Sequence, residues 1–167
     1  MRALARTLLP CALLLFAGAA SGQSQEVRHS TYHDYRIVPV VDGLIRPWSM
    51  AFLPNGDMLV TEQPGRLRIV RDDRLLEQPV SGVPEVFYKG QGGLLDVVLH
   101  PDFASNRLLY LSYSKPLEDE ESTTAVIRGR YSDGALSDVE DVFVAQSRGR
   151  GHYGSRLAFD QQGYLFI

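Results

Sequence analysis

Ala51-Phe52-Leu53-Pro54-Asn55-Gly56-Asp57-Met58-Leu59-Val60 aligns without gaps on Ala158-Phe159-Asp160-Gln161-Gln162-Gly163-Tyr164-Leu165-Phe166-Ile167. In both, an apolar pair enters a polar turn holding a glycine, and a second apolar run follows. Val98-Leu99-His100-Pro101-Asp102-Phe103-Ala104-Ser105-Asn106-Arg107-Leu108-Leu109-Tyr110-Leu111 is a looser third copy with a longer turn. The copies begin at 51, 98 and 158. A strand–turn–strand unit recurring at about 50 residues predicts β-propeller blades of four strands each. A single blade cannot bury both faces, so such a unit is stable only when packed on its neighbours.

The flanking sequence is read in the same way. Arg36–Val41, Ser49–Leu53, Met58–Glu62, Arg66–Val70 and Leu94–Leu99 have strand character, and Asn55-Gly56 is a strong hairpin signal because such turns need positive φ. No segment keeps helical apolar spacing over three turns. The expected class is all-β.

The chain has 167 residues and one cysteine, so no disulfide forms within it and no multi-cysteine zinc site exists. A formal charge of −3 gives no basic footprint for nucleic acid. Residues 1–22 read as a secretory signal peptide: Arg2 and Arg6, an apolar run from Leu8 to Ala17, then small residues to Gly22. That run is too short to span a bilayer, which needs about 20 residues. Cys11 lies inside it, preceded by Leu9-Pro10, which argues against lipidation. The leader holds two arginines and no acid, so its removal takes the charge from −3 to −5 and the cysteine count to zero. Residues 23–35 read as a polar N-terminal arm without a strand, and 36–167 as part of a propeller, an arc of about two to three blades at about 50 residues each. The final apolar strand ends with the chain, so 167 residues are expected to be an N-terminal fragment.

Two glycine-rich polar segments lie between repeat copies: Tyr88-Lys89-Gly90-Gln91-Gly92-Gly93 and Arg148-Gly149-Arg150-Gly151-His152-Tyr153-Gly154-Ser155-Arg156. Glycines let backbone approach a ligand closely. His152 is the leading candidate for a general base, since imidazole is the side chain most used for that task; a loop histidine without a partner is the alternative. Gln91 offers an amide that both donates and accepts, suited to a hydroxylated ligand; a solvated loop glutamine is its alternative. Arg148, Arg150 and Arg156 offer charge to an anionic cofactor, or are solvated surface arginines. His100 is expected to be structural, Trp48 a packing anchor between blades, and Asp96 a turn or loop hydrogen-bonder. His29 and His33 lie in the polar arm, and the acidic stretch Leu117–Ser122 reads as a solvated loop. No metal-ligand cluster is evident.

Arg46–Glu62, Gly65–Val70, Gly90-Gln-Gly-Gly-Leu-Leu-Asp96, His100-Pro-Asp-Phe103 and Gly151-His-Tyr-Gly-Ser-Arg-Leu157 together resemble the soluble quinoprotein glucose/sorbosone dehydrogenases, nearest their periplasmic aldose sugar dehydrogenase branch. The resemblance implies a six-bladed propeller that binds pyrroloquinoline quinone, with calcium supporting the cofactor. It gives His152 the role of base toward the anomeric hydroxyl of an aldose while hydride passes to the quinone, forming a lactone, and makes Gln91 a substrate contact. An external electron acceptor and a periplasmic or secreted location follow. Gly151 stands where the glucose branch has an aspartate, which favours the broader aldose branch, and Gln63 replaces a usual arginine. The family's cofactor-binding residues are expected beyond residue 167, so this chain alone is expected to be inactive. A calcium-dependent propeller lactonase and a non-catalytic extracellular binding propeller are the alternatives.

Overall fold

The computed structural model describes residues 26–167. The leader read over residues 1–22, with Cys11, lies outside the described residues. The chain divides into two units between Val38 and Pro39.

The smaller unit holds a hairpin of β1 (Val27–His29) and β2 (Asp34–Arg36). Ser30 closes its turn, its N–H and hydroxyl donating to the His33 carbonyl at 3.1 and 2.7 Å. His29 Nδ1 meets Asp34 Oδ1 at 2.7 Å. Sequence reading leaves this arm without a strand and places one over 36–41, and both expectations are corrected. Beyond Arg36 the chain is not strand until Pro47. Pro39 has no N–H to give a ladder, and Ile37, Val38 and Val40 remain exposed.

The larger unit contains two four-stranded antiparallel sheets, each in chain order. The first is β3 (Pro47–Phe52), β4 (Met58–Glu62), β5 (Arg66–Arg71) and β6 (Arg74–Leu75). The second is β7 (Leu94–Leu99), β8 (Leu108–Pro116), β9 (Ser122–Ser132) and β10 (Ala135–Val144). A third begins as the hairpin of β11 (Ala158–Phe159) and β12 (Leu165–Phe166). The three repeat copies fall on β3–β4, β7–β8 and β11–β12, the leading hairpins of successive sheets. The one helix among the described residues, α1 (Phe103–Asn106), is a single turn that fills the longer connection of the third copy.

Asn55-Gly56 does form a turn, but of another kind than the two-residue hairpin. Only Gly56 takes positive φ (90°), while the Leu53 N–H reaches the Asp57 carbonyl at 2.8 Å. This is a wider turn with the glycine at its left-handed position. Arg71 holds the Asp57 carboxylate through contacts of 2.7–3.1 Å, and that hydrogen bond keeps the carboxyl below its ordinary range.

The sheets meet face to face along β3, β4 and β7. Leu59, Leu67 and Ile69 of the first interleave with Leu94, Val97, Leu109, Leu111 and Ile127 of the second. Each such buried side chain contributes about 1.5–3 kcal/mol. Polar links cross the same boundary: the Thr61 hydroxyl, fully buried, donates to the Leu95 carbonyl at 2.6 Å. Trp48 does not pack between these two sheets. It is 37% exposed and lines an apolar depression with Val40, Met50, Phe52 and Met58.

Candidate functional site

The segment 151–157 leads into β11. Tyr153, Ser155 and Leu157 are buried, while His152, Gly154 and Arg156 are exposed, an alternation made by irregular chain in which His152, Gly154 and Ser155 take positive φ. Side chains of the second sheet hold it in place. Thr124 Oγ1 donates to the Tyr153 carbonyl at 2.9 Å, and Ser112 Oγ to the Ser155 carbonyl at 2.7 Å. The Tyr153 and Ser122 hydroxyls lie 2.6 Å apart, and Ser122 and Gly149 exchange backbone hydrogen bonds of 3.0 Å. The Leu157 N–H donates to Asp96 Oδ2 at 2.7 Å.

This docking leaves His152 exposed with a left-handed φ of 60°. Its backbone N–H donates to Gln91 Oε1 at 2.9 Å, joining residues 61 apart in the chain. No hydrogen bond among the described residues engages the imidazole, so both ring nitrogens are open to a ligand. Gln91 spends its oxygen on His152 and keeps its NH2 donors facing outward. Its carbonyl accepts Gln63 Nε2 at 3.3 Å. A Cβ on Gly151 would stand 3.3 Å from Gln91 Oε1, so any side chain there crowds the amide that meets His152.

Gly93 fixes this corner to the first sheet. Its φ is 143°, and a Cβ would lie 2.1 Å from the Gln63 carbonyl oxygen, which accepts the Leu94 N–H at 3.0 Å. Gly93→Ala therefore forces the two sheets apart at the site. The expected loss is about 1–3 kcal/mol or more, measured by urea denaturation; an unchanged midpoint would contradict the close approach.

Most of the charged groups nearby are matched. Arg148 pairs with Glu121 at 2.9 Å, Lys89 with Glu120 at 3.0 Å, and Arg156 with Asp96 at 3.2 Å. Arg150 donates to the Glu120 carbonyl at 3.2 Å. The hydrogen bond from Lys89 holds the Glu120 carboxyl below its ordinary range. The acidic loop read as solvated thus lies against both glycine-rich segments. Asp96 also differs from expectation. It sits within β7, fully buried, rather than in a turn or loop, and the Ser49 hydroxyl of β3 donates to it. His100 is a turn organiser: Nδ1 accepts the Asp102 N–H at 3.0 Å, and the ring stacks near Tyr110 and Phe159.

Pyrroloquinoline quinone is a polycarboxylate, and holding it needs cations not already neutralised. Lys89, Arg148 and Arg156 each have an acid partner, whereas the Arg150 guanidinium meets the Glu120 carbonyl and, of these four, alone has no acid partner. Among the described residues there is no group of three His, Cys, Asp or Glu side chains placed to hold a metal ion.

The family profile described as Glucose / Sorbosone dehydrogenase matches residues 44–167. The chain belongs to this family. It is 48% identical over 131 residues to the aldose sugar dehydrogenase YliI of Escherichia coli K12, covering 75% of this chain and 35% of that protein. The crystal structure of the soluble apo aldose sugar dehydrogenase of Escherichia coli superposes with a TM-score of 0.70 at 48% identity, covering 74% of this chain and 37% of that one. The aldose sugar dehydrogenase of Streptomyces coelicolor in its PQQ-bound form gives 0.67 at 30% identity, covering 77% and 39%. The chain spans about a third of the length of the curated relatives it matches. In fold, this glucose/sorbosone dehydrogenase segment is an arc of the propeller: two complete sheets and the opening hairpin of a third.

Proposed function

We propose that the complete protein oxidises aldose sugars at the anomeric carbon to lactones, using pyrroloquinoline quinone and passing electrons to an external acceptor. The observation that carries this reading is the His152–Gln91 pair. Two residues from separate glycine-rich segments stand side by side, the imidazole free and the amide NH2 outward. In this reading His152 takes the proton of the anomeric hydroxyl, and Gln91 donates to a sugar oxygen. The quinone, when bound, supplies the two-electron sink. We assign its cradle and the calcium that supports it to the remainder of a protein of the relatives' length. We also assign residues 1–22 to export, to the periplasm or beyond; among the described residues no helix is long and apolar enough to cross a membrane. A calcium-dependent lactonase needs acids free for the ion, whereas Glu120, Glu121 and Asp96 are each paired with a cation.

The test uses a protein of the relatives' length that carries this segment, freed of cofactor. Adding quinone and calcium is expected to give reduction of an artificial acceptor that depends on an aldose such as glucose, and the 167-residue chain alone is expected to give none. A reconstituted protein that reduces no acceptor with any aldose overturns the activity. Turnover by the 167-residue chain overturns the assignment of the cradle.

A further inference from the structure

Leu94-Leu95-Asp96-Val97-Val98-Leu99 is a strand of five aliphatic residues interrupted by one acid. An ionised carboxylate in such a run costs several kcal/mol unless charges and hydrogen bonds surround it. A sixth aliphatic residue is the simpler solution for packing alone. Asp96 is fully buried, and its oxygens are committed to groups from three segments. The Ser49 hydroxyl of β3 and Arg156 Nη1 (3.2 Å) donate to Oδ1, the Leu157 N–H donates to Oδ2 at 2.7 Å, and its own strand supplies the Val97 N–H at 2.9 Å.

We infer that Asp96 is a positioning residue for His152: its carboxylate fixes the far end of segment 152–157 to the leading strands of both sheets and so sets where the imidazole stands. The inference rests on His152 as the base. The two ends of the segment are held unequally. At His152 itself the tether is one exposed hydrogen bond, to the neutral Gln91 amide, and the next residue, Tyr153, is held by the neutral Thr124 and Ser122 hydroxyls. At Leu157 the acceptor is a buried carboxylate, and charge-assisted bonds are about twice as strong as neutral ones. Between them, the Ser112 hydroxyl that holds Ser155 accepts the Asp96 N–H at 2.9 Å, so the same residue orients the second tether. His152, Gly154 and Ser155 take positive φ (60°, 60° and 82°), so the imidazole's position depends on an irregular stretch whose C-terminal end the carboxylate holds at Leu157. Arg156 is 75% exposed at its side chain yet reaches back to the carboxylate, closing the clasp from the solvent side.

The experiment measures amide hydrogen exchange by NMR in the full chain, for wild type, D96A and D96N. In D96A the Leu157 amide is expected to exchange about 10–100-fold faster, the loss of a bond to a charged group, and the His152 amide faster as well, while the core amide of Leu111 keeps its protection. D96N retains an acceptor oxygen in the same place and restores most of the protection. The companion measurement is turnover of the reconstituted full-length protein: kcat falls by about tenfold or more in D96A, KM stays within about twofold, and D96N recovers part of kcat. Unchanged Leu157 exchange in D96A overturns the inference. So does a loss at Leu111 that keeps step with Leu157 in D96N, because the carboxylate would then serve the fold as a whole. The base reading fails separately: His152→Asn with full turnover removes it whatever the exchange data show.

Discussion

On the proposed function, replacing His152 by alanine is expected to lower kcat of the reconstituted full-length protein by about 10²–10⁴-fold, the contribution of a positioned general base. KM is expected to change little, because the backbone N–H at 152 still donates to Gln91 and leaves the amide NH2 aimed outward. Alanine is less at ease than histidine at a φ of 60°, so part of the loss could come from backbone rearrangement. His152→Asn separates the causes. Asparagine tolerates left-handed backbone and keeps a polar side chain, but it cannot serve as a base. Equal losses in both variants assign the effect to proton transfer. Recovery by asparagine to within about tenfold of wild type would assign it to backbone geometry and remove His152 from the chemistry. Quinone retention, followed by its absorbance after gel filtration, is expected to be the same in all three proteins.

The repeat made the blades legible because inner hairpins carry one hydrophobic pattern wherever they occur: Ala51–Val60, Val98–Leu111 and Ala158–Ile167 all land on the first two strands of a sheet. What the pattern lacked was the context of single side chains. Trp48 reads as a packing anchor between blades, and it stands beside Met50 and Phe52 on a face that the second sheet does not cover. The run 36–41 reads as a strand by its β-branched residues, but Pro39 interrupts the donors. Asp96 reads as loop chemistry because acids avoid strand interiors. Only the arrival of Ser49, Arg156 and the Leu157 N–H, from residues 47 to 61 positions away, explains it. His152 and Gln91 were both legible as candidates through their glycine neighbours, but their contact was not, since nothing local in either segment encodes a partner 61 residues distant. Gln63 was visible only as a departure from the family's pattern, and its amide proves to clasp the Gln91 carbonyl.

The largest stability effect is expected at Glu62, whose side chain has no exposure. Its Oε1 accepts the Ile45 N–H at 2.6 Å, and its Oε2 receives Arg66 Nε at 2.6 Å and Arg68 Nη1 at 3.4 Å. Arg66 Nη2 and Arg68 Nε, both buried, have no other protein partner, so this carboxylate is the counter-charge for the corner. Glu62→Ala leaves two guanidiniums uncompensated. Breaking a buried pair costs about 3–5 kcal/mol, and the partial exposure of Arg66 places the expected loss toward the lower end of that range. Burial pushes the Glu62 carboxyl up, but the Ile45 N–H and the two arginines together outweigh it and hold it below the ordinary value. A depressed folded-state value means that the unfolded chain binds the proton more readily. The stabilisation is therefore fully present above the ordinary glutamate value of about 4.3 and is lost as pH falls through the folded one. Urea midpoints across that acid range are expected to decline steeply in wild type and less steeply in Glu62→Gln, which has no charge to lose. Parallel declines in the two proteins would assign the acid sensitivity to other groups, Asp57 beside Arg71 first among them.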